Sequence, residues 1–64
     1  MKHSLMESVK WENWAMAYVA DVTMTREDGT IEGRVLQFHS EQEANDFLPE
    51  MRRIVLARLE ERKP

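Results

Sequence analysis

Cysteine is absent from the 64 residues. That excludes a disulfide scaffold, a zinc–thiolate centre and thiol-based catalysis. Glycine and proline occur twice each, too rarely for a collagen-like or low-complexity chain. The central apolar run from Ala15 to Ala20 is far too short to cross a bilayer as a helix. No basic start, apolar stretch and small-residue cleavage site follow one another, so no secretory leader is expected and the expected location is cytoplasmic.

What remains is a short, charged chain, with 12 acidic residues against 9 basic ones and a formal net charge of -3. Its length allows one small domain over residues 1–64. A domain of about 60 residues buries only about 60% of the surface its unfolded chain exposes, so it is marginally stable. Small folds commonly gain support from a disulfide, a metal or a second copy. With disulfides excluded and a metal poorly supported, homodimerisation is the expected source. Charge is also uneven. Residues 1–49 carry Lys2, Lys10, Arg26 and Arg34 against nine acids, whereas Arg52, Arg53, Arg58, Arg62 and Lys63 outnumber the acids after residue 49. Cations late in a helix complement its dipole, which accounts for the gradient without a ligand.

The pattern predicts an α+β fold of ββα type, an antiparallel hairpin packed against a C-terminal helix. From Trp14 to Thr25 the larger apolar residues Trp14, Met16, Tyr18, Ala20, Val22 and Met24 alternate with smaller or polar ones, the period of a half-buried strand. Asp28-Gly29 marks a reverse turn. A two-residue turn would place Tyr18 opposite His39. A three-residue loop with left-handed Gly29 would place Tyr18 opposite Phe38 and Ala20 opposite Leu36. The second register gathers the apolar side chains on one face and is preferred. Ile31 to His39 is the second strand. Ser40 and Glu43 form a capping box that opens a helix, and Ala44, Phe47, Leu48, Met51, Ile54, Val55 and Leu59 follow helical spacing. Pro49 predicts a bend or a break in that helix. Residues 1–9 are expected to be a frayed or extended lead, although Ser4 and Glu7 also have capping-box spacing. A hairpin followed by a helix opening Ser-x-x-Glu-Ala resembles small bacterial regulatory modules, HicB-type antitoxins among them. The residues that carry the likeness, Ser40, Glu43 and Ala44, are a cap and a helix former, so they assign no family and no site residue.

Catalytic patterns are weak. His39, Glu41 and Glu43 are close in sequence, but two-residue spacing turns the two acids roughly 200° apart on a helix, so they do not converge on a metal. Neither serine sits in a nucleophile elbow, and no glycine-rich phosphate loop occurs. No cofactor, no metal and no enzymatic activity are expected. The leading expectation is a small interaction or regulatory module acting through a sheet edge and an apolar helix face, with a copy of itself and another protein as partners and no membrane. Trp11, Trp14, Met51, Val55, Leu56 and Leu59 are the candidate contact residues, since tryptophan combines area with a polar tip and Leu56 falls off the main helical stripe. One alternative is a nucleic-acid-binding regulator using Arg52, Arg53, Arg58, Arg62 and Lys63. Another is an acidic inhibitor that mimics nucleic acid with Glu27, Asp28, Glu32 and Glu41.

Overall fold

A computed structural model describes residues 3–62. Three antiparallel strands, β1 (His3–Glu12), β2 (Ala17–Arg26) and β3 (Ile31–Phe38), precede one helix, α1 (Glu41–Glu61). The strands lie in sequence order, with β2 in the centre and both β1 and β3 at edges. Each turn closes with its own chemistry. After β1, the Ala15 N–H donates to Glu12 O and the Met16 N–H to Asn13 O, both at 3.2 Å. Met16 completes that four-residue loop at φ +51°. After β2, the Arg26 N–H donates to Thr30 O at 2.8 Å and the Gly29 N–H to Arg26 O at 2.9 Å. Gly29 takes φ +92°, a value L side chains rarely adopt. This is the bulged loop, and it sets the preferred register, Tyr18 opposite Phe38 and Ala20 opposite Leu36.

Three expectations are corrected. The segment from residue 3 to residue 12 is neither a helix nor a lead but a third strand, paired with β2 from His3↔Arg26 to Glu12↔Ala17. Trp14 and Met16 belong to the β1–β2 loop and not to a strand, and both are exposed. Of the two outcomes expected at Pro49, the break does not occur, since α1 is continuous from Glu41 to Glu61. Proline lacks the N–H that would bond Asn45 O four residues earlier. Asn45 is exposed, so water can reach that carbonyl.

Register decides which side chains meet α1. Tyr18, Ala20, Val22, Met24 and Arg26 project from β2 to the helix side, because successive residues alternate faces. Ala20, Val22 and Met24 join Ala44, Met51, Val55 and Leu59 in one buried cluster. Ser40 opens the helix as expected, its Oγ accepting from the Glu43 N–H at 3.1 Å. Asp28 is the turn's anchor. Its Oδ1 accepts from the Thr30 N–H at 2.9 Å, and its Oδ2 lies 3.4 Å from Arg26 Nη2. The Thr30 hydrogen bonds, then the Arg26 charge, hold the Asp28 carboxyl below its usual range. A carboxyl with a lowered folded pKa contributes stability above its unfolded pKa and loses it as pH falls through the folded one. Asp28→Asn is therefore expected to lower the melting temperature at pH 6, with the gap to the unchanged protein narrowing below about pH 4. A gap that is constant from pH 6 to pH 2 would contradict this role.

Candidate functional site

Among the described residues the sheet carries one helix on one face, and no further element packs on its opposite face or along either edge. Of the seven large apolar side chains exposed among the described residues, Leu5, Met6, Trp11, Trp14 and Met16 lie on β1 or its loop, while Ile31 and Val35 lie on β3. None is on the helix. The reason is placement. Phe38 meets Phe47 with ring centroids 5.7 Å apart, which ties α1 to the β3 side. Over β1 the helix presents Leu48, Arg52 and Leu56, which share one row because they are four residues apart. Of these, Leu48 and Leu56 pack against the core cluster with Val9. Arg52 instead forms an ion pair with Glu7, Nε to Oε2 2.8 Å. Beyond that row β1 is bare, and Leu5 and Trp11 are each 46% exposed.

The loop end of the hairpin holds two of the three most exposed large apolar side chains, with Met6 of β1 the third. Trp14 is 72% exposed and Met16 75%. Trp11 stands edge-on to Tyr18, centroids 5.3 Å apart, and its Nε1–H donates to Asn13 Oδ1 at 2.8 Å. Trp11 is thus oriented by its neighbours. Trp14 and Met16 are held out by the loop itself, because a left-handed Met ends it. A non-glycine residue in that region carries about 1 kcal/mol of strain. Met16→Gly is expected to raise stability by about 1 kcal/mol in thermal denaturation; a loss of stability would show that the Met side chain has a packing role.

The remaining candidate contact residues separate by burial. Met51, Val55 and Leu59 are fully buried against the sheet, so they build the core, and Leu56 sits half-buried at its β1 margin. The basic residues do not gather. Arg52 pairs with Glu7, Arg53 with Glu50, and Arg62 with Glu32 at 2.9 Å, while Arg58 lies beside Arg62 on the flank facing β3. Lys63 lies outside the described residues. A depression of about 540 Å³ lined by Glu32, Arg58, Glu61 and Arg62 mixes both signs of charge. The acidic candidates divide as well. Glu27 and Asp28 are in the β2–β3 turn, Glu32 is beside Arg62, and Glu41 is at the opposite end of α1. Among the described residues no three of His, Asp and Glu converge as metal ligands.

Sequence reasoning missed two residues that matter here. Arg26 reads as part of a turn, yet it is buried and its guanidinium binds the helix C-terminus, Nη1 to Leu59 O at 3.0 Å and Nη2 to Arg62 O at 2.6 Å. Parity along β2 does place it on the inner face, which is the signal that was there to be read. Leu5 lies in a segment whose polar neighbours read as a lead. In comparisons with known proteins the chain matches no family model, no curated protein and no solved structure.

Proposed function

We propose that the chain is a non-enzymatic protein–protein interaction module whose contact surface is β1 with the β1–β2 loop. The observation that carries this reading is the gathering of Leu5, Met6, Trp11, Trp14 and Met16 on residues 5–16. They line one edge strand and its loop, Leu5 and Trp11 on the helix side and Met6 on the open side, so a partner laid along the β1 edge meets apolar side chains on both faces. Tryptophan and methionine suit that work, one as a rigid anchor and the other as an adaptable filler. The loop adds strain to the exposure, holding Met16 left-handed where a glycine would be more comfortable. The surface differs from the sequence expectation. The edge is β1, and the helix contributes the flank of Leu48, Arg52 and Leu56 in place of its buried stripe.

Protein is a better match than nucleic acid for this surface. The open sheet face carries Lys10 beside Glu12 and Asp21, without the basic stripe that phosphate requires. Arg52, Arg53 and Arg62 already hold carboxylates, with which a phosphate would compete. A photo-crosslinking residue placed at Trp14 in cells that make the protein is expected to trap protein adducts. The same residue at Arg53, on the helix side turned away from the sheet, is expected to trap few. Equal yields at the two positions, or none at Trp14, would remove the proposal.

A further inference from the structure

The free edge of β1 is self-complementary, and we propose that its partner is a second copy of the chain, joined β1 to β1 in antiparallel fashion about a two-fold axis through Ser8. This rests on the reading of β1 as the contact surface and names its occupant.

Backbone geometry limits the ways two β1 strands can meet. The Arg26 N–H bonds Thr30 O, so even-numbered residues of β2 turn their peptide groups toward β3. Alternation then turns the odd-numbered residues of β2 toward β1, where they meet even-numbered partners such as Ser8, opposite Asp21. The odd residues Leu5, Glu7, Val9 and Trp11 are left with N–H and C=O directed at the free edge. Antiparallel pairing of two such edges must set odd against odd. That parity coincides with a two-fold axis normal to the sheet, which places both helices on the same face.

Side chains choose among the permitted registers. Centring on Glu7 sets two carboxylates directly opposite each other, and centring on Lys10 does the same with two ammonium groups, both unfavourable. Centring on Val9 shortens the overlap of the strands and sets Trp11 against Glu7. Centring on Ser8 keeps nearly the whole strand paired. It sets Leu5 against Trp11 twice, Glu7 against Val9 twice, Met6 against Lys10 and Ser4 against Glu12, with no like charges opposed. Leu5 and Trp11 are the two helix-side residues of β1 that the fold leaves equally half-bare, and they lie three positions either side of Ser8. The two Glu7 side chains become diagonal neighbours, each already neutralised by its own Arg52. The product is a six-stranded sheet in which neither β1 remains an edge, a common remedy for a long unprotected edge strand. The loop with Trp14 and Met16 stays outside the joint and is free for another protein.

Ser8→Cys tests the axis in a chain that otherwise has no cysteine. In this register the two Ser8 residues face each other at a non-hydrogen-bonded position, with Cβ atoms about 5 Å apart, within reach of a disulfide. Met6→Cys is the register control, because its own copy lies about 14 Å away along the paired strands. In a glutathione buffer Ser8→Cys is expected to form a covalent dimer at least about tenfold faster than Met6→Cys, and the unmodified protein is expected to sediment as a dimer. Leu5→Pro removes an outward N–H that the β1–β2 ladder does not use, which an edge strand tolerates. It is expected to keep the helical circular dichroism and to sediment as a monomer. An unmodified protein that is monomeric up to millimolar concentration overturns the inference, and so does a dimer in which the two cysteine variants oxidise alike. Either result, combined with selective crosslinking at Trp14, leaves β1 and its loop as a contact surface and denies only the second copy. Loss of both takes the functional reading with it.

Discussion

Arg26→Met is expected to remove about 3 kcal/mol of stability and to lower the melting temperature by roughly 15 °C. The side chain leaves the C-terminal end of the central strand on its helix face and ends at the last turn of α1. A helix leaves its final carbonyls without intrahelical donors. In α1 one of them, Leu59 O, receives Arg26 Nη1 at 3.0 Å, and the cap carbonyl of Arg62 receives Nη2 at 2.6 Å. The same Nη2 reaches Thr30 Oγ1 at 3.2 Å and Asp28 at 3.4 Å. One guanidinium therefore joins the helix end, the β2–β3 turn and the central strand. A cation also offsets the negative end of the helix dipole. Methionine preserves the apolar stem and its packing, so the loss isolates the fork. Leu59 O then keeps only the Arg62 N–H at 3.2 Å and the Arg62 carbonyl loses its charged donor, and hydrogen bonds from a charged donor are worth more than neutral ones. Arg26→Lys restores the charge but not the fork and is expected to recover less than half of the loss. Hydrogen exchange separates this role from a general loosening: the last turn of α1 and the β2–β3 turn should lose protection before the centre of the sheet. A drop in stability under about 1 kcal/mol for Arg26→Met would refute the assignment.

The parts of the fold that were legible in the sequence are those whose determinants are local. Asp28-Gly29 needs no distant partner to reverse the chain, and the alternation from Tyr18 to Met24 needs only the pleat. Given both, the register followed, since a slip of one residue would have turned the apolar set away from the helix. Ser40 and Glu43 are equally self-contained. What escaped was set by contacts distant in sequence. On the inner face of β1 the order is His3, Leu5, Glu7, Val9, Trp11, and Glu7 puts a charge between the apolar residues. It is tolerated there because Arg52, 45 residues later in the chain, covers it at 2.8 Å. Without α1 in place, that segment reads as a polar lead, and Ser4 with Glu7 imitates a helix cap. In the structure those two side chains lie on opposite faces of a strand. Pro49 misled in the opposite direction. A rule about one missing hydrogen bond pointed to a bend or a break, and the break does not occur because the helix is held on both sides of the proline by Ala44 and Met51 against the same sheet. Tertiary burial outweighs the local penalty of about 3 kcal/mol.

The contact surface was legible only in part for a related reason. Trp11 and Trp14 stood out by residue type alone. Met51, Val55 and Leu59 read as contact residues beside them because an amphipathic helix shows its apolar stripe without showing what covers it. The structure supplies a cover, and the consequence is measurable. Met51→Ala is expected to remove about 4 kcal/mol, through the lost transfer of a fully buried side chain and the cavity left behind. A single core of this size rarely supplies more than about 3–5 kcal/mol in total. The variant should therefore show no cooperative thermal transition above room temperature. Met51→Leu conserves volume and is expected to cost less than about 1.5 kcal/mol. Trp14→Ala is expected to change the stability of the isolated chain by no more than about 0.5 kcal/mol, because a residue 72% exposed contributes little to its own fold. Chemical denaturation of the three variants at low protein concentration makes the comparison, since dilution keeps self-association from adding to apparent stability. If Trp14→Ala proved as damaging as Met51→Ala, the loop would be part of the core, and the apolar surface assigned to β1 and its loop would lose its most exposed tryptophan.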